Sequence, residues 1–548
     1  MVLFQKNIFF KKPLFNKKKK IRVKLLSEFG KIKDDSFHFE LIEKYFLKKD
    51  QSNTSQVLSD KTCNDLDFEE LFMFIDRTNS KIGQQFLYNK LRTIPLNTNE
   101  NNKDEKLIGE LSNNQNLRVS VQEQLSKLND CDSYYITSLF QDEHLKPPKW
   151  ILVARLLSFT SIFSLIMIFF NLKMLFVIFG VFIINIGIHY WNKRNLNQYL
   201  SSLPQLLRLN AVAKNLFKND NLKAINPSLP ASIKIIDKVR NRMTFFRVES
   251  KLQSDAEVIF WVFFEFFKIL FLLEPLFLFS VLKQLDTKRN EIEDLFIFVG
   301  KIDSLISIVS LRRGLNFFCL PNIINEQKTI IAQEIYHPLI FDCVKNNIHV
   351  IKKSILLTGS NMSGKTSFIR TVGINLITGL TLNTCFAKQF STPILKLYSA
   401  IRISDDLMND KSYYFEEVLT IKEMIDKSGN GEACLFLLDE IFKGTNTVER
   451  ISAGKAVLSS LRKADNIVFV STHDIELADL LKDEYELYHF SEKVDNKTVD
   501  FDYKLKNGKL KNRNAIRILQ INDYPETIIS EAIEISKKMD KTIIPILQ

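Results

Sequence analysis

The stretch SILLTGSNMSGKTSFIR, residues 354–370, decides how the C-terminal half of this 548-residue chain folds. Ile355, Leu356 and Leu357 form an apolar run of the length of a buried strand. Gly359-Ser360-Asn361-Met362-Ser363-Gly364-Lys365-Thr366 fits the pattern G-x-x-x-x-G-K-[ST], and a helical apolar rhythm follows. Strand, loop and helix in that order are the context in which this motif cradles a nucleoside triphosphate. The two glycines let the backbone curl so that successive N–H groups meet phosphate oxygens. The helix beyond adds its positive N-terminal end. Lys365 is placed to reach the β- and γ-phosphates, and Thr366 to offer its hydroxyl to Mg²⁺. The expected ATP-binding set is Gly359, Ser360, Asn361, Met362, Ser363, Gly364, Lys365, Thr366 and Ser367.

Working outward, Leu435-Phe436-Leu437-Leu438-Asp439-Glu440 reads as a buried strand ending in two carboxylates. In an open parallel sheet the strand tips lie together at the carboxyl edge, where ligands bind. Asp439 is expected to support Mg²⁺, and Glu440 to orient and deprotonate the attacking water. A second strand, Ile467 to Val470, runs into Ser471-Thr472-His473, and His473 at its tip is placed to sense a γ-phosphate. Taken alone, a single His of this kind is more often structural. Lys443-Gly444-Thr445-Asn446-Thr447 is a polar turn suited to a dimer contact. The segment Asp405 to Glu417, DDLMNDKSYYFEE, offers Ser412 as a phosphate-facing hydroxyl.

Composition bounds the remainder. Forty-five per cent apolar residues, with 45 Phe, is the make-up of a folded chain, and 548 residues call for several domains. The net charge of +12 is concentrated at one end: residues 1–33 hold ten Lys and one Arg against one Glu. Such a basic leader either attracts nucleic acid or anionic lipid, or is merely solvated. Cys63, Cys131, Cys319, Cys343, Cys385 and Cys434 contain no C-x-x-C pair, which excludes the usual zinc spacing and suits a reducing compartment.

Upstream of the motif the pattern is helical. Leu66 to Pro95 carries apolar residues at helical spacing, 96–104 is Asn-rich and reads as a loop, and 105–140 is helical again. From Leu156 to Leu172 and from Met174 to Asn192 there is no Asp, Glu, Lys or Arg, and only Lys173 separates the two runs. Each approaches the ~20 residues that span a bilayer core. Lys146, Lys149 and Arg155 precede the pair, and Lys193 and Arg194 follow it, as in a hairpin whose two ends stay cytoplasmic. The alternative is a pair of buried core helices. A third apolar stretch, Ala256 to Leu282, contains Glu257, Glu265, Lys268, Glu274 and Pro275. It reads as a buried or membrane-lying helix pair bent at Pro275, because a third span would carry the nucleotide site away from cytoplasmic ATP.

The segments Tyr336-His337-Pro338-Leu339, Val344-Lys345-Asn346-Asn347-Ile348, TGSNMSGKTSFIR, LFLLDEIFKGTNT and STHD occur in this order. With Tyr503-Lys504-Leu505, Gly508, Pro525 and Ala532 further on, they resemble the MutS family of DNA mismatch-repair ATPases, within the ABC-type class. The resemblance covers about 200 residues, and Leu66 to Pro95 is similar to the start of the family's helical core. It implies ATP and Mg²⁺ as cofactors, adds Asn346 to the ATP-binding residues, and makes Glu440, His473 and Lys365 catalytic and Thr366 and Asp439 metal ligands. It implies a homodimer through the ATPase domains, each site taking Ser412 in trans from its partner, and non-sequence-specific DNA binding. The departures are as informative. The leader before the helical core is too short for the family's mismatch-reading domain, and usual members lack a membrane hairpin.

The expected fold class is thus α plus α/β: a helical core and lever with an inserted transmembrane hairpin, then an ABC-type P-loop ATPase domain. The expected parts are a leader (1–60), a helical core (61–150), the hairpin (151–194), a second helical part (195–325) and the ATPase domain (326–540). The function expected is that of a membrane-anchored, multi-pass MutS-like ATPase with its ATPase domain in the cytoplasm. The competing expectation is a membrane-linked mechanochemical ATPase that acts on a protein or envelope partner without DNA.

Overall fold

The computed structural model describes residues 11–143, 147–239, 258–360, 362–402, 413–494, 499–510 and 515–543. The expectations for Asn361 and Ser412, and the first residues of the leader and of the 256–282 stretch, lie outside these. The chain forms two compact units. The first takes Met1–Asp50, Ile75–Arg92 and Lys103–Gly314; the second takes Gln51–Phe74, Thr93–Asn102 and Leu315–Gln548.

The first unit is helical. Its labelled helices are α1 (Lys11–Glu28), α2 (Lys81–Arg92), α3 (Gln115–Leu125), α4 (Ile151–Met167), α5 (Met174–Asn195), α6 (Asn197–Leu216), α7 (Val258–Leu270), α8 (Leu273–Leu285) and α9 (Arg289–Gly314). Helix α9 is buried over most of its length and packs on α2. The helical pattern read over 66–95 is interrupted at 76–80 for a polar reason. Asp76 accepts the Thr78 N–H at 2.9 Å, while Asp303 of α9 accepts the N–H groups of Asn79 and Ser80 at 2.8 and 2.7 Å. The two carboxylates hold this turn, and Ser80 caps α2, its Oγ accepting the Gly83 N–H at 2.9 Å. The Asn-rich run is also not all loop: a helix begins at Asn99, with the Asn97 side chain accepting the Asn99 N–H at 3.1 Å.

Helices α4 and α5 pair as a hairpin with reversed polarity. The buried stripe of α4 is Ile151, Ala154, Ser158, Ser161 and Ser164, and that of α5 is Val181, Asn185, His189 and Asn192. Facing outward are Leu156, Phe159, Phe163, Phe176 and Phe179. Among the described residues one helix, α5, is long and apolar enough to cross a membrane, and only 17% of its apolar window is buried. The break between α7 and α8 falls at Phe271–Leu272, where Leu272 adopts a left-handed φ of +46°, not at Pro275. Pro275 sits in the first turn of α8, where its missing N–H costs nothing.

Among the described residues the second unit holds two small two-stranded sheets and two larger ones, and the larger two position the site. Their strands are β1 (Asn322–Ile323), β2 (Thr329–Ile335), β3 (Asn346–Ile351), β4 (Ser354–Thr358), β5 (Gln389–Thr392), β6 (Lys396–Ala400), β7 (Cys434–Asp439), β8 (Ile467–Thr472), β9 (Tyr485–His489) and β10 (Lys506–Asn507). The six-stranded sheet has the order β10-β9-β4-β8-β7-β6 and is parallel except for β10. The smaller sheet runs β1-β5-β2-β3. Strands β4 and β8 are buried on both faces, as is β7 up to Leu438, which explains their unbroken apolar sequence. Helix α10 (Lys365–Leu382) covers one face, and α11 (Tyr413–Ser428) and α12 (Thr447–Leu461) also belong to this unit. Gly373 lets α10 approach β7 closely, since a Cβ there would lie 2.7 Å from Leu437 Cδ1 and push that side chain aside.

Candidate active site

Strand β4 delivers the chain to the loop 359–364, and α10 begins at its end. Gly364 is the N-cap of α10 with φ +101°, a conformation L residues rarely hold. Lys365 follows, almost fully buried, and its Nζ donates to the carbonyls of Gly359 and Ser360, both at 2.8 Å. Burial lowers its pKa, against the opposing pull of Glu440 and Asp439. The loop is braced by Ser363 Oγ donating to Ser360 O at 2.8 Å and by Ser360 Oγ donating to Glu492 Oε2 at 2.7 Å.

Parallel pairing of β7 with β8 sets Asp439 beside Ser471. The Asp439 carboxylate accepts from Thr366 Oγ1 at 2.7 Å and, on its other oxygen, from Ser471 Oγ. Two hard oxygen donors, Thr366 and Asp439, therefore stand side by side. Mg²⁺ is held by one or two protein oxygens together with substrate phosphates, so this pair fits it. Among the described residues no group of three or more His, Cys, Asp or Glu could hold a metal by itself.

Glu440, one residue past β7, has a left-handed φ of +51°, and its N–H donates to Ser471 O at 2.9 Å. This turn swings its carboxylate onto Lys443 Nζ at 2.5 Å and against His473 Nε2. Burial pushes the Glu440 carboxyl up, but hydrogen bonds from His473 and Lys443 outweigh it and hold its pKa at about 2. Behind it, Glu417 of α11 accepts the Phe442 N–H at 2.5 Å, and Arg450 forms a bidentate pair with Asp474 at 2.8 and 2.9 Å. These contacts fix the two loops that carry Glu440 and His473.

A cavity of about 500 Å³ opens over Lys365, Thr366 and Glu440, with Ile340, Phe341, Phe490 and Tyr503 as its apolar wall. That size suits a small cofactor or nucleotide. Met362, Ser363, Gly364, Ser367 and Asn346 also line it. Asn346 is already engaged: its Nδ2 donates to Tyr503 O at 3.0 Å and its Oδ1 accepts the Leu505 N–H at 2.9 Å. It holds the segment that brings Tyr503 to the cavity. His337 is a buried neutral imidazole, pushed down by burial to about 4, whose Nδ1 accepts the Leu339 N–H at 3.3 Å. In the polar turn, Asn446 caps α12 by accepting the Glu449 N–H at 3.0 Å.

The sequence-predicted residues Lys365, Thr366, Asp439, Glu440 and His473 thus come together. Ser471, Lys443, Glu417 and the Arg450–Asp474 pair were missed. Ser471, Lys443 and Glu417 each lie in a run singled out from the sequence, but the runs do not show their contacts with Asp439, Glu440 and the Phe442 N–H.

Residues 355–540 match the family model of MutS domain V. The DNA mismatch repair protein MutS of Aquifex pyrophilus is 26% identical over 273 residues, which are 48% of this chain and 31% of that protein. The protein of the same name from Bacillus mycoides (strain KBAB4) is 23% identical over 270 residues, 45% of this chain and 30% of the relative. The matched region thus spans about a third of the length of these curated relatives. Together the matches support a relationship to the MutS family.

Proposed function

We propose that this chain is a MutS-like ATPase that binds ATP with Mg²⁺ and hydrolyses it to drive closure of a dimer. The observation that carries this reading is that Lys365, Thr366 and Glu440 line one cavity at the carboxyl edge of a parallel sheet, with Asp439 bonded to Thr366 and His473 against Glu440. Lys365 exchanges its two loop carbonyls for phosphate oxygens. Thr366 and Asp439 would hold Mg²⁺, which would supply positive charge to the phosphates. Glu440, ionised at neutral pH, accepts a hydrogen bond from the attacking water and points it at the γ-phosphorus. The same carboxylate is placed to take the proton that the water releases. His473 fixes that carboxylate and faces the side on which the γ-phosphate lies. The Ile340, Phe341 and Tyr503 wall would take the base.

The hairpin α4–α5 is proposed as a membrane anchor with the ATPase domain in the cytoplasm. Its support is the reversed polarity of the two helices, with Ser, Asn and His inside and Phe and Leu outside. The proposed partner is duplex DNA, held by its backbone without base reading. Support comes from the relatives' printed name and from α1, on which Lys19, Lys20, Arg22 and Lys24 are exposed. The outward apolar face favours a second reading, an ATPase that acts on an envelope partner and not on DNA. ATP binding by detergent-solubilised protein tests the first claim: Lys365→Ala should abolish it, and unchanged binding would refute the site. Duplex binding measured against salt tests the second, and no binding at low salt, with or without ATP, would favour the envelope reading.

A further inference from the structure

The stretch 258–270 carries Glu265 and Lys268, charges that argue from sequence against contact with lipid tails. In the fold both are turned inward. Lys268 is fully buried, with Nζ 3.0 Å from Glu265 Oε2 and 3.0 Å from Glu274 Oε2. Glu265 also meets His189 Nε2 at 3.1 Å and lies 3.8 Å from Lys193, while Asn192 Nδ2 donates to Glu274 at 3.2 Å. Asn185 Nδ2 closes the set by donating to Leu270 O at 2.8 Å, where the α7 backbone loses its helical partners. Glu265 is therefore matched against His189 and Lys193 of α5, and Lys268 against Glu265 and Glu274 of α8. Outward, α7 shows Val262, Phe263, Phe266 and Phe267, each exposed, with Phe266 packed beside Phe182 of the hairpin. Its apolar face runs on from that of α5.

We propose that α7 is a third lipid-facing element, docked on the hairpin by the His189–Glu265–Lys268–Glu274 cluster and immersed in acyl chains without crossing the bilayer. This rests on the membrane reading of α4–α5. Thirteen residues make a helix of about 20 Å, short of the ~30 Å hydrocarbon core. The left-handed break at Leu272 then turns the chain into α8, whose Trp150–Phe279 contact lies at the start of α4, by Lys149 and Arg155. Glu265 lies 3.8 Å from Lys193, at the end of α5 that follows the hairpin, so α7 and α8 both lie toward the side of the hairpin's two ends and add no crossing. Ions are tolerated at that depth because they face the bundle interior and pair with one another. A water-exposed surface would leave no reason for one helix to hide two charges while displaying three Phe.

The experiment places the photo-cross-linker p-benzoylphenylalanine at Phe176, Phe263 or Phe267 of the full chain, with Tyr524 of the second unit as control. The protein is reconstituted in phosphatidylcholine–phosphatidylglycerol vesicles carrying an alkyne-tagged acyl chain. Lipid adducts from Phe263 and Phe267 comparable to those from Phe176, with none from Tyr524, are expected. Adducts from Phe176 but none from Phe263 or Phe267 would overturn the proposal while sparing the hairpin. Adducts from none of them would overturn both. Cross-linking of Phe263 to protein in place of lipid would also overturn it.

Discussion

Glu440 draws its properties from one backbone angle. Its left-handed φ turns the side chain off the strand direction and onto Lys443 and His473. The consequence for pH has a definite sign. A carboxyl held at about 2, below its ordinary 4.5, adds stability that is fully present above pH 4.5 and is lost as pH falls toward 2. Between pH 6 and 3 the melting temperature of the unaltered protein should therefore drop more steeply than that of Glu440→Gln. Parallel curves would show that the ion pairs contribute nothing. Gly364 offers a second test, since Gly364→Ala forces an L residue to φ +101° with its Cβ 3.2 Å from Tyr503 Cδ1. Strain of this kind costs about 1–3 kcal/mol, and a melting temperature that does not fall would contradict it. Lys365, Thr366 and the Asp439–Glu440 pair were readable because each lies in a run whose spacing carries the chemistry. Ser471 and Glu417 were not, because their partners come from strand pairing and helix packing 25 to 32 residues away.

Helix α10 and strand β7 show how an element is tuned by its neighbour. Gly373 lets the helix approach Leu437 closely, so Gly373→Val should overpack the contact and cost about 1–3 kcal/mol, measured by chemical denaturation. An unchanged midpoint would mean that the two elements separate freely. The buried strands were legible as unbroken apolar runs, and α10 as the helix that follows the loop. The interruption at 76–80 was not, since the carboxylate that caps it belongs to Asp303, more than 220 residues along the chain. Periodicity also left the polarity of the hairpin open: it shows that α4 and α5 are apolar, not that their serines, asparagines and histidine face inward.

At the scale of the molecule, the two units draw on segments that alternate along the chain. Residues 51–74 and 93–102 belong with the sheets and 75–92 with the helices, an exchange that linear order cannot reveal. If the hairpin anchors the chain with both ends cytoplasmic, a cysteine introduced at Asn171 should react with an impermeant reagent from outside, and residues 330–548 should not. Labelling of the second unit from outside would overturn that topology. If DNA is the partner, deletion of residues 2–33 should flatten the salt dependence of duplex binding, each lost phosphate contact lowering the slope by about 0.9. A slope unchanged by the deletion would place the contact elsewhere. The central claim is hydrolysis at the Lys365–Glu440 site. The most direct measurement is Mg²⁺-dependent ATP turnover by the purified full chain, alongside Glu440→Gln loaded with the same nucleotide. Glu440→Gln should bind ATP normally and hydrolyse it about 10²–10⁴-fold more slowly. Equal turnover by the two proteins, or none by the unaltered chain, would contradict it.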